Sequence, residues 1–386
     1  MELPIPICKP LLPPAESILP YIARIDASRI YSNFGPLVRE FESRFAHSCS
    51  IDDLRLVTAA NGTLAIQAAL IAQNRADESR NLCLLPAFTF AGTVSAVVGA
   101  GLIPMFVDVD SKTCMIDLDR LQDEDMLRRT AAVVTVASFG HLPDLARCSA
   151  FEARTGIPII VDAAGCSDAL LSGAVKSLEG VTLALSFHAT KAFGIGEGGG
   201  IATTDPALAE DIRTITNFGL DANRVARLPG MNAKMSEYVA AVGLALLDHW
   251  PEFRIRYSSV LSSYRKHFAP MQHKGSFWLE PNWITTYPHV ITKSESERDG
   301  LIQGLQSAQI ETRRWWMEGC HNAPAYAGAP RLPLPHTDKW IATLVGLPLS
   351  IDLDEEKICY IASKTIQLLS DADEPSGVRV LGRAMP

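Results

Sequence analysis

The spacing of apolar and polar residues predicts alternating helices and strands up to about residue 250. Apolar residues recur at three- and four-residue intervals over Phe34 to Phe45, which is typical of an amphipathic helix. Further helices are predicted over Thr63 to Ala72 and Ala91 to Gly99. Short apolar runs predict strands at Leu82 to Pro86, Ile103 to Val107, Ala131 to Val136, Ile157 to Asp162, Val181 to Phe187 and Gly200 to Thr203.

This alternation of short apolar strands with helices predicts an α/β fold. Its central sheet is expected to be mostly parallel and covered by helices on both faces. After about Trp250 the pattern changes: prolines and tryptophans become frequent, and a helix is predicted near Ser294 to Leu305. We therefore expect a large domain over residues 1–250 and a smaller α+β domain over residues 251–386.

Composition and charge exclude several classes of protein. Hydrophobic residues make up 47% of the 386 residues and charged residues 20%, which is ordinary for a globular protein. The net charge of −8 and the lack of a basic stripe argue against a nucleic-acid partner. No apolar run reaches the roughly 18 residues of a membrane span, and prolines interrupt the apolar N-terminus. The eight cysteines form no CxxC pair, so we expect a reduced, cytoplasmic protein without a metal site.

Two polar residues near strand ends could carry chemistry, because ligands of open α/β sheets bind beyond the carboxyl ends of the strands. Asp162 ends an otherwise apolar strand, where a carboxylate needs a partner such as a protonated pyridine nitrogen. Lys191 lies before a glycine-rich turn, where loss of solvation would make it a better Schiff-base nucleophile. A turn-capping aspartate and a surface lysine are the ordinary alternatives.

Other residues near the strand ends could bind a flat phosphorylated molecule. Gly62 and Thr63 begin a predicted helix, whose free N–H groups and dipole favour a phosphate, and Ser186 could add a hydroxyl. Phe90 follows a strand end and could stack on a flat ring, although an isolated phenylalanine is more often a core residue. Each of these signals is weak on its own.

The stretch from Gly194 to Gly199 satisfies the GxGxxG pattern of dinucleotide-binding proteins. That fingerprint requires the glycines to connect a strand directly to a helix. Here they precede Ile201-Ala-Thr-Thr, which predicts a strand instead. We therefore expect no dinucleotide site, and we expect the glycines to let the backbone approach a bound ring closely.

Eight segments resemble, in the same order, the DegT/DnrJ/EryC1/StrS family of sugar aminotransferases, a group of fold-type-I pyridoxal phosphate enzymes. The most specific segment is SFHATKAFGIGEGGGI (186–201). The other segments are FGPLVREFESRFA (34–46), AANGTLAIQAAL (59–70), PAFTFAGTVSAVVGAGLIPMFVDVD (86–110), VDAAG (161–165), NFG (217–219), GMNAKMSEYVAAVGL (230–244) and GLPLS (346–350).

The resemblance implies pyridoxal 5'-phosphate as the cofactor and assigns catalytic positions. Lys191 would hold the cofactor as a Schiff base and later shuttle protons. Asp162 would pair with the pyridine nitrogen and keep the ring an electron sink. His188 also matches the family, without a clear role.

The resemblance also implies cofactor-binding positions beyond Lys191 and Asp162. Phe90 would stack on the ring, and Gly62, Thr63 and Ser186 would bind the phosphate. Asn232, in Gly230-Met-Asn-Ala-Lys-Met, would reach the phosphate of the neighbouring subunit. The protein is therefore expected to be a homodimer with shared active sites.

Two departures from the family pattern lie near these positions. Gly165 stands where the family has a glutamine that touches the cofactor ring. Ala137-Ser-Phe-Gly140 replaces the family's His-Leu-Tyr-Gly. These changes concern which substrate binds and the electronic properties of the cofactor ring. A neighbouring side chain could fill the space at Gly165. Lys191 and Asp162 are retained.

The activity implied is transfer of an amino group from an amino acid, by analogy glutamate, to a keto group of a nucleotide-linked deoxysugar. An amino-cyclitol ketone is an alternative acceptor. A sugar dehydratase of the same family is disfavoured, because such relatives carry histidine where this chain has Lys191. A non-catalytic regulator is the alternative outside enzymes, supported by the departures at Gly165 and Ala137.

Overall fold

The computed structural model describes residues 4–74, 79–272, 277–279 and 282–373. In these residues the helices are α1 (Ala15–Ser28), α2 (Pro36–Ser48), α3 (Gly62–Gln73), α4 (Ala91–Gly99), α5 (Glu124–Arg128), α6 (Leu145–Thr155), α7 (Ser167–Leu171), α8 (Pro206–Thr216), α9 (Glu237–Gln272), α10 (Glu295–Ser307), α11 (Pro335–Thr343) and α12 (Glu355–Asp373). The strands are β1 (Arg55–Ala59), β2 (Leu82–Pro86), β3 (Ile103–Val107), β4 (Thr130–Val136), β5 (Ile159–Asp162), β6 (Thr182–Ser186), β7 (Gly199–Thr203), β8 (Phe277–Trp278), β9 (His289–Ile291) and β10 (Leu344–Gly346).

The central sheet has seven strands in the order β1-β7-β6-β5-β4-β2-β3. The five strands from β6 to β3 in this order pair in parallel, whereas β7 runs antiparallel to both neighbours. Successive strand residues point to opposite faces, so Ile160 packs into one apolar cluster and Val161 into the other. The predicted α/β fold with a mostly parallel, doubly covered sheet is confirmed.

The predicted elements agree closely with the observed ones. Strands β2 and β3 and helix α4 have the predicted bounds. The largest shift is three residues, at the end of α2, and the other bounds differ by two residues or fewer. The glycine-rich stretch runs into β7, so the expectation of a strand instead of a dinucleotide-binding helix is confirmed.

A buried carboxylate joins helices α2 and α9. Glu237 accepts hydrogen bonds from the backbone N–H groups of Leu37 at 2.8 Å and Val38 at 3.0 Å, which lie in the first turn of α2. The unpaired N–H groups and the dipole of a helix start favour such a negative charge. Gly35 makes room for it, since a Cβ there would lie 2.6 Å from the Glu237 carboxyl carbon.

The part of the chain after residue 250 contains a second sheet of three antiparallel strands in the order β10-β9-β8. Helix α9 runs through residue 250 without a break and contacts both α2 and α12. The division into domains 1–250 and 251–386 therefore stays a prediction.

Residues 5–8, the N-terminal segment, are hydrogen-bonded to the distant end of the chain. The backbone of Ile5 pairs with Gln309 at 2.8 Å and with Glu311 at 3.0 Å, and Leu349 donates to the carbonyl of Ile7 at 3.1 Å.

The described helices include none with the length and apolarity needed to cross a bilayer. All eight cysteines are free thiols, and six of them are buried.

Candidate active site

A cavity of about 930 Å³ opens at the carboxyl ends of the parallel strands. Strands β5 and β6 end there at Asp162 and Ser186, as expected for a ligand site of an open α/β sheet. Most of the residues singled out in the sequence line this one cavity, namely Gly62, Thr63, Phe90, Asp162, Ser186, His188 and Lys191.

Asp162 is a buried carboxylate, with 8% of its surface exposed. One oxygen accepts a hydrogen bond from the Thr93 hydroxyl at 2.7 Å, and the other accepts from the backbone N–H of Ala164 at 3.2 Å. Burial raises the pKa of Asp162, and Thr93 and the charge of Lys191 offset this only in part. Among the described residues no basic side chain forms an ion pair with it, so a cationic group in the cavity would stabilise its charge.

Lys191 lies on the turn after β6 and is buried at its amine. Its Nζ donates a hydrogen bond to the Tyr287 hydroxyl at 2.7 Å. Burial by itself lowers the pKa of Lys191, but the interactions with Tyr287 and the charge of Asp162 outweigh it, and the pKa is raised. Lys191 is therefore desolvated as expected, yet its ammonium group is not more acidic than usual, because the interactions with Tyr287 and Asp162 outweigh the effect of burial.

The start of α3 forms the end of the cavity suited to a phosphate. The Asn61 side chain caps this helix by accepting from the N–H of Leu64 at 2.9 Å. The N–H groups of Gly62 and Thr63 come before any intrahelical acceptor and can serve an anion. Ser186 lies beside them, because a Cβ on Gly62 would be 3.0 Å from the Ser186 Cβ.

The glycine-rich stretch shapes this phosphate end of the cavity. A Cβ on Gly199 would lie 2.4 Å from the Asn61 carbonyl carbon and 2.5 Å from the Gly62 nitrogen. The glycine therefore lets β7 pack directly against the start of α3. We expected these glycines to crowd a bound ring, and for Gly199 the close contact is instead with the backbone of the helix start.

Phe90 and His188 lie at the rim of the cavity. Phe90 precedes α4, and 65% of its surface is exposed, so its ring is not a core residue. His188 Nδ1 is 2.9 Å from the Thr190 hydroxyl, and its Nε2 is 3.6 Å from a carboxylate oxygen of Glu197. Both rings are thus available to a bound molecule.

Asn232 does not line the cavity of its own chain. It is exposed, and its side-chain oxygen accepts a hydrogen bond from Lys234 Nζ at 2.7 Å. Lys234 Nζ in turn lies 4.3 Å from the centre of the Phe218 ring, which is itself half exposed. The expectation that Asn232 reaches a neighbouring subunit stays a prediction.

Several residues that the fold brings to the cavity could not be identified from the sequence. Thr93 supports Asp162 and accepts a hydrogen bond at 2.9 Å from Thr89, which the sequence does place just after a strand end. Tyr287 and Arg313 come from distant parts of the chain, and no local pattern marks them as functional. Trp315 and Trp316 add an aromatic wall. The spacing of Thr89 and Thr93, four residues apart beside a strand end, was the one usable signal.

These residues fit a flat, phosphorylated pyridinium. The unpaired carboxylate of Asp162 suits a ring N–H⁺, and the start of α3 suits a phosphate. The amine of Lys191 lies in the same cavity and suits an aldehyde carbon.

Comparison with known proteins agrees with this geometry. A sequence model of the DegT/DnrJ/EryC1/StrS aminotransferase family matches residues 14–365. Protein Rv3402c of Mycobacterium tuberculosis is 34% identical over 93% of this chain and 89% of that relative. The dTDP-4-amino-4,6-dideoxy-D-glucose transaminase of Shigella dysenteriae is 28% identical over 94% of this chain and 98% of that relative.

A solved structure supports the same relationship. The crystal structure of DesI in the presence of its TDP-sugar product has a TM-score of 0.82 and 30% identity, and the match covers 96% of this chain and 94% of that one. The chain belongs to the DegT/DnrJ/EryC1/StrS aminotransferase family and is a pyridoxal phosphate-dependent aminotransferase.

Proposed function

We propose that this chain transfers an amino group from glutamate to a keto group of a nucleotide-linked deoxysugar. The main observation that supports this proposal is that Lys191, Asp162 and the start of α3 line one cavity. The names of the Shigella transaminase and of DesI, which was solved with a TDP-sugar, support a nucleotide-linked acceptor. The protein would act in the cytoplasm as a homodimer.

We propose the following roles for the residues around the cofactor. Pyridoxal phosphate, when bound, supplies an electron sink that stabilises negative charge at the substrate carbon. Asp162 would hold the ring nitrogen, and Phe90 would stack on the ring. Thr63 and Ser186 would bind the phosphate, together with the N–H group of Gly62.

Lys191 would both hold the cofactor and move protons. Its Nζ lies in the cavity and is fixed by the Tyr287 hydroxyl, so it can take a proton from the substrate and return it. His188 at the rim would contact substrate and not the ring nitrogen, since its ring is tied to Thr190 and faces Glu197.

The walls of the cavity suit an anionic substrate with a flat base. Arg313 lines the cavity, and no carboxylate among the described residues lies within ion-pairing distance of it. Its guanidinium would bind the carboxylate of the donor or the diphosphate of the acceptor. Trp315 and Trp316 also line the cavity, where Arg313 lies over the Trp315 ring at 5.1 Å and Phe139 stacks on the Trp316 ring with centroids 5.6 Å apart. A base or a sugar ring would pack against the parts of these rings that remain uncovered.

We also propose a homodimer in which each active site receives Asn232 from the neighbouring chain. Asn232 lies outside its own cavity and is exposed, and the neighbouring Phe218 exposes half of its surface. A contact that places Asn232 in the partner's site would occur twice, as a two-fold axis requires.

The experiment uses purified protein loaded with pyridoxal phosphate. Glutamate should convert the cofactor, as its change in absorbance reports, and a nucleotide-linked 3-keto or 4-keto hexose should then regain the starting spectrum and yield an amino sugar. Lys191→Ala serves as the inactive control. Turnover with a ketocyclitol but with no keto sugar would establish the cyclitol alternative. A protein that binds the cofactor but never reacts with glutamate would support a regulator.

A further inference from the structure

Tyr287 occupies the space that a side chain at position 165 would need. A Cβ built on Gly165 would lie 2.8 Å from Tyr287 Cε2, 3.4 Å from its hydroxyl oxygen and 3.5 Å from Cζ. Carbon atoms do not approach this closely, so a larger residue at 165 would force the ring aside. The Tyr287 ring can therefore take its position only because residue 165 has no side chain.

The hydroxyl of the same tyrosine contacts the residue that holds the cofactor. Lys191 Nζ donates to the Tyr287 oxygen at 2.7 Å, across 96 positions of sequence. The ring thus bridges the space at Gly165 and the amine of Lys191. A relative with glutamine at position 165 would place that side chain where the Tyr287 ring lies in this chain.

The segment that carries Tyr287 is hydrogen-bonded to Phe139 and Gly140, which belong to the second stretch that departs from the family pattern. Trp283 Nε1 donates to the carbonyl of Gly140 at 2.9 Å, and the Thr285 hydroxyl donates to the carbonyl of Phe139 at 2.7 Å. The Phe139 ring packs edge-on against Tyr287 with centroids 6.4 Å apart. Both departures therefore lie against one segment.

We propose that Tyr287 replaces the side chain missing at position 165 and positions the ε-amine of Lys191. A tyrosine at 287 and a long side chain at 165 exclude one another. Tyr287 is thus a positioning residue for the site described above, and this inference rests on the proposed function for its catalytic meaning. The packing of the Tyr287 ring into the space at Gly165 does not depend on the cofactor.

The first test measures thermal unfolding of the cofactor-free protein in a double-mutant cycle. Gly165→Gln should lower Tm by about 3 °C, because the added side chain overpacks the space that the Tyr287 ring fills. In the double variant with Tyr287→Ala the ring is gone, so the combined loss should be smaller than the sum of the two single losses. Gly300→Gln is the matched control, since a Cβ there meets nothing within 4 Å. Additive losses would overturn the inference.

The second test measures uptake of pyridoxal phosphate against pH, trapped with borohydride and mapped to Lys191. The Tyr287 oxygen stabilises the charged amine, and only the uncharged amine attacks the aldehyde. Tyr287→Phe keeps the ring but removes the hydroxyl, so its uptake midpoint should move to lower pH. Tyr360→Phe, which changes an exposed tyrosine on α12, should follow the wild type. Coincident profiles for wild type and Tyr287→Phe would show that the hydroxyl does not position the amine.

The two tests separate this inference from the proposed function. Wild-type protein that takes up no cofactor on Lys191 would refute the function, and the unfolding cycle would still decide whether Tyr287 fills the space at Gly165. Wild-type protein that takes up cofactor normally, with an unchanged profile for Tyr287→Phe, would refute the inference alone.

Discussion

Replacement of Asp162 by asparagine should change stability and activity in opposite directions. The carboxylate is buried and its pKa is raised, so its folded pKa lies above its unfolded value. Its ionisation therefore opposes folding, and stability of the cofactor-free protein is lost as pH rises from the unfolded pKa through the folded pKa. Above that range, at neutral pH, the neutral amide should remove this cost.

The hydrogen bonds around residue 162 can be kept when asparagine replaces Asp162. Asp162 accepts from Thr93 with one oxygen and from Ala164 with the other. The amide oxygen can keep the bond from Ala164, and the amide N–H can donate to Thr93, because a hydroxyl both donates and accepts. The cofactor-free Asp162→Asn protein should therefore unfold at a temperature no lower than the wild type at pH 7.

Activity should fall because the ring nitrogen loses its charged partner. A hydrogen bond to a charged group contributes about 1.5–3 kcal/mol, which corresponds to a rate loss of roughly 10- to 150-fold. The assay is the single-turnover reaction of the loaded enzyme with glutamate, beside thermal unfolding of the cofactor-free protein from acid to neutral pH. Asp52→Asn, at an exposed position, is the control. A rate loss of only a few-fold together with lower stability would identify Asp162 as a turn-capping residue and refute the reasoning.

Three further results are expected. Lys191→Ala should abolish turnover with the fold intact, and borohydride followed by peptide mapping should place the cofactor on Lys191; a label on another lysine would contradict the assignment. Mixed dimers of Lys191→Ala and Asn232→Ala chains should be more active than either parent, because one site then carries neither lesion; no gain after proven subunit exchange would place Asn232 outside a shared site. Glu237→Gln should cost about 1.5–3 kcal/mol in the free energy of unfolding, since an amide offers one acceptor to two N–H groups, whereas exposed Glu210→Gln should change it little; equal denaturant midpoints would show that the carboxylate contributes nothing.

The local sequence pattern predicted six of the seven strands of the central sheet, all except β1. Strands such as β2 and β3 are short apolar runs, β2 ending at Pro86 and β3 just before Asp108, so their bounds could be predicted from the local sequence alone. The reversal of β7 could not, because an apolar run has the same pattern in either direction. The contact between Gly199 and Asn61 that follows from this reversal was missed for the same reason.

The predicted part of the site consists of residues that stand next to strand ends. Asp162 and Ser186 could be identified because their positions follow from the strands that carry them. Tyr287 and Arg313 could not, since their partners in the cavity are far away in sequence and their own neighbourhood has no distinctive pattern. Asn232 is different again: its expected partner is another molecule, so neither sequence spacing nor a single chain determines its role.

The N-terminal segment has a consequence for how the protein matures on the ribosome. Ile7 and Cys8 line the cavity, yet the backbone partners of this segment are Gln309, Glu311 and Leu349. At about 5–20 residues per second, those partners are synthesised on the order of 20–70 s after residue 7. Until then the nascent chain can form β5, which bears Asp162, and β6, which precedes the turn with Lys191, but this edge of the cavity stays open. This edge of the cavity therefore cannot form until most of the chain, through Leu349, has been synthesised.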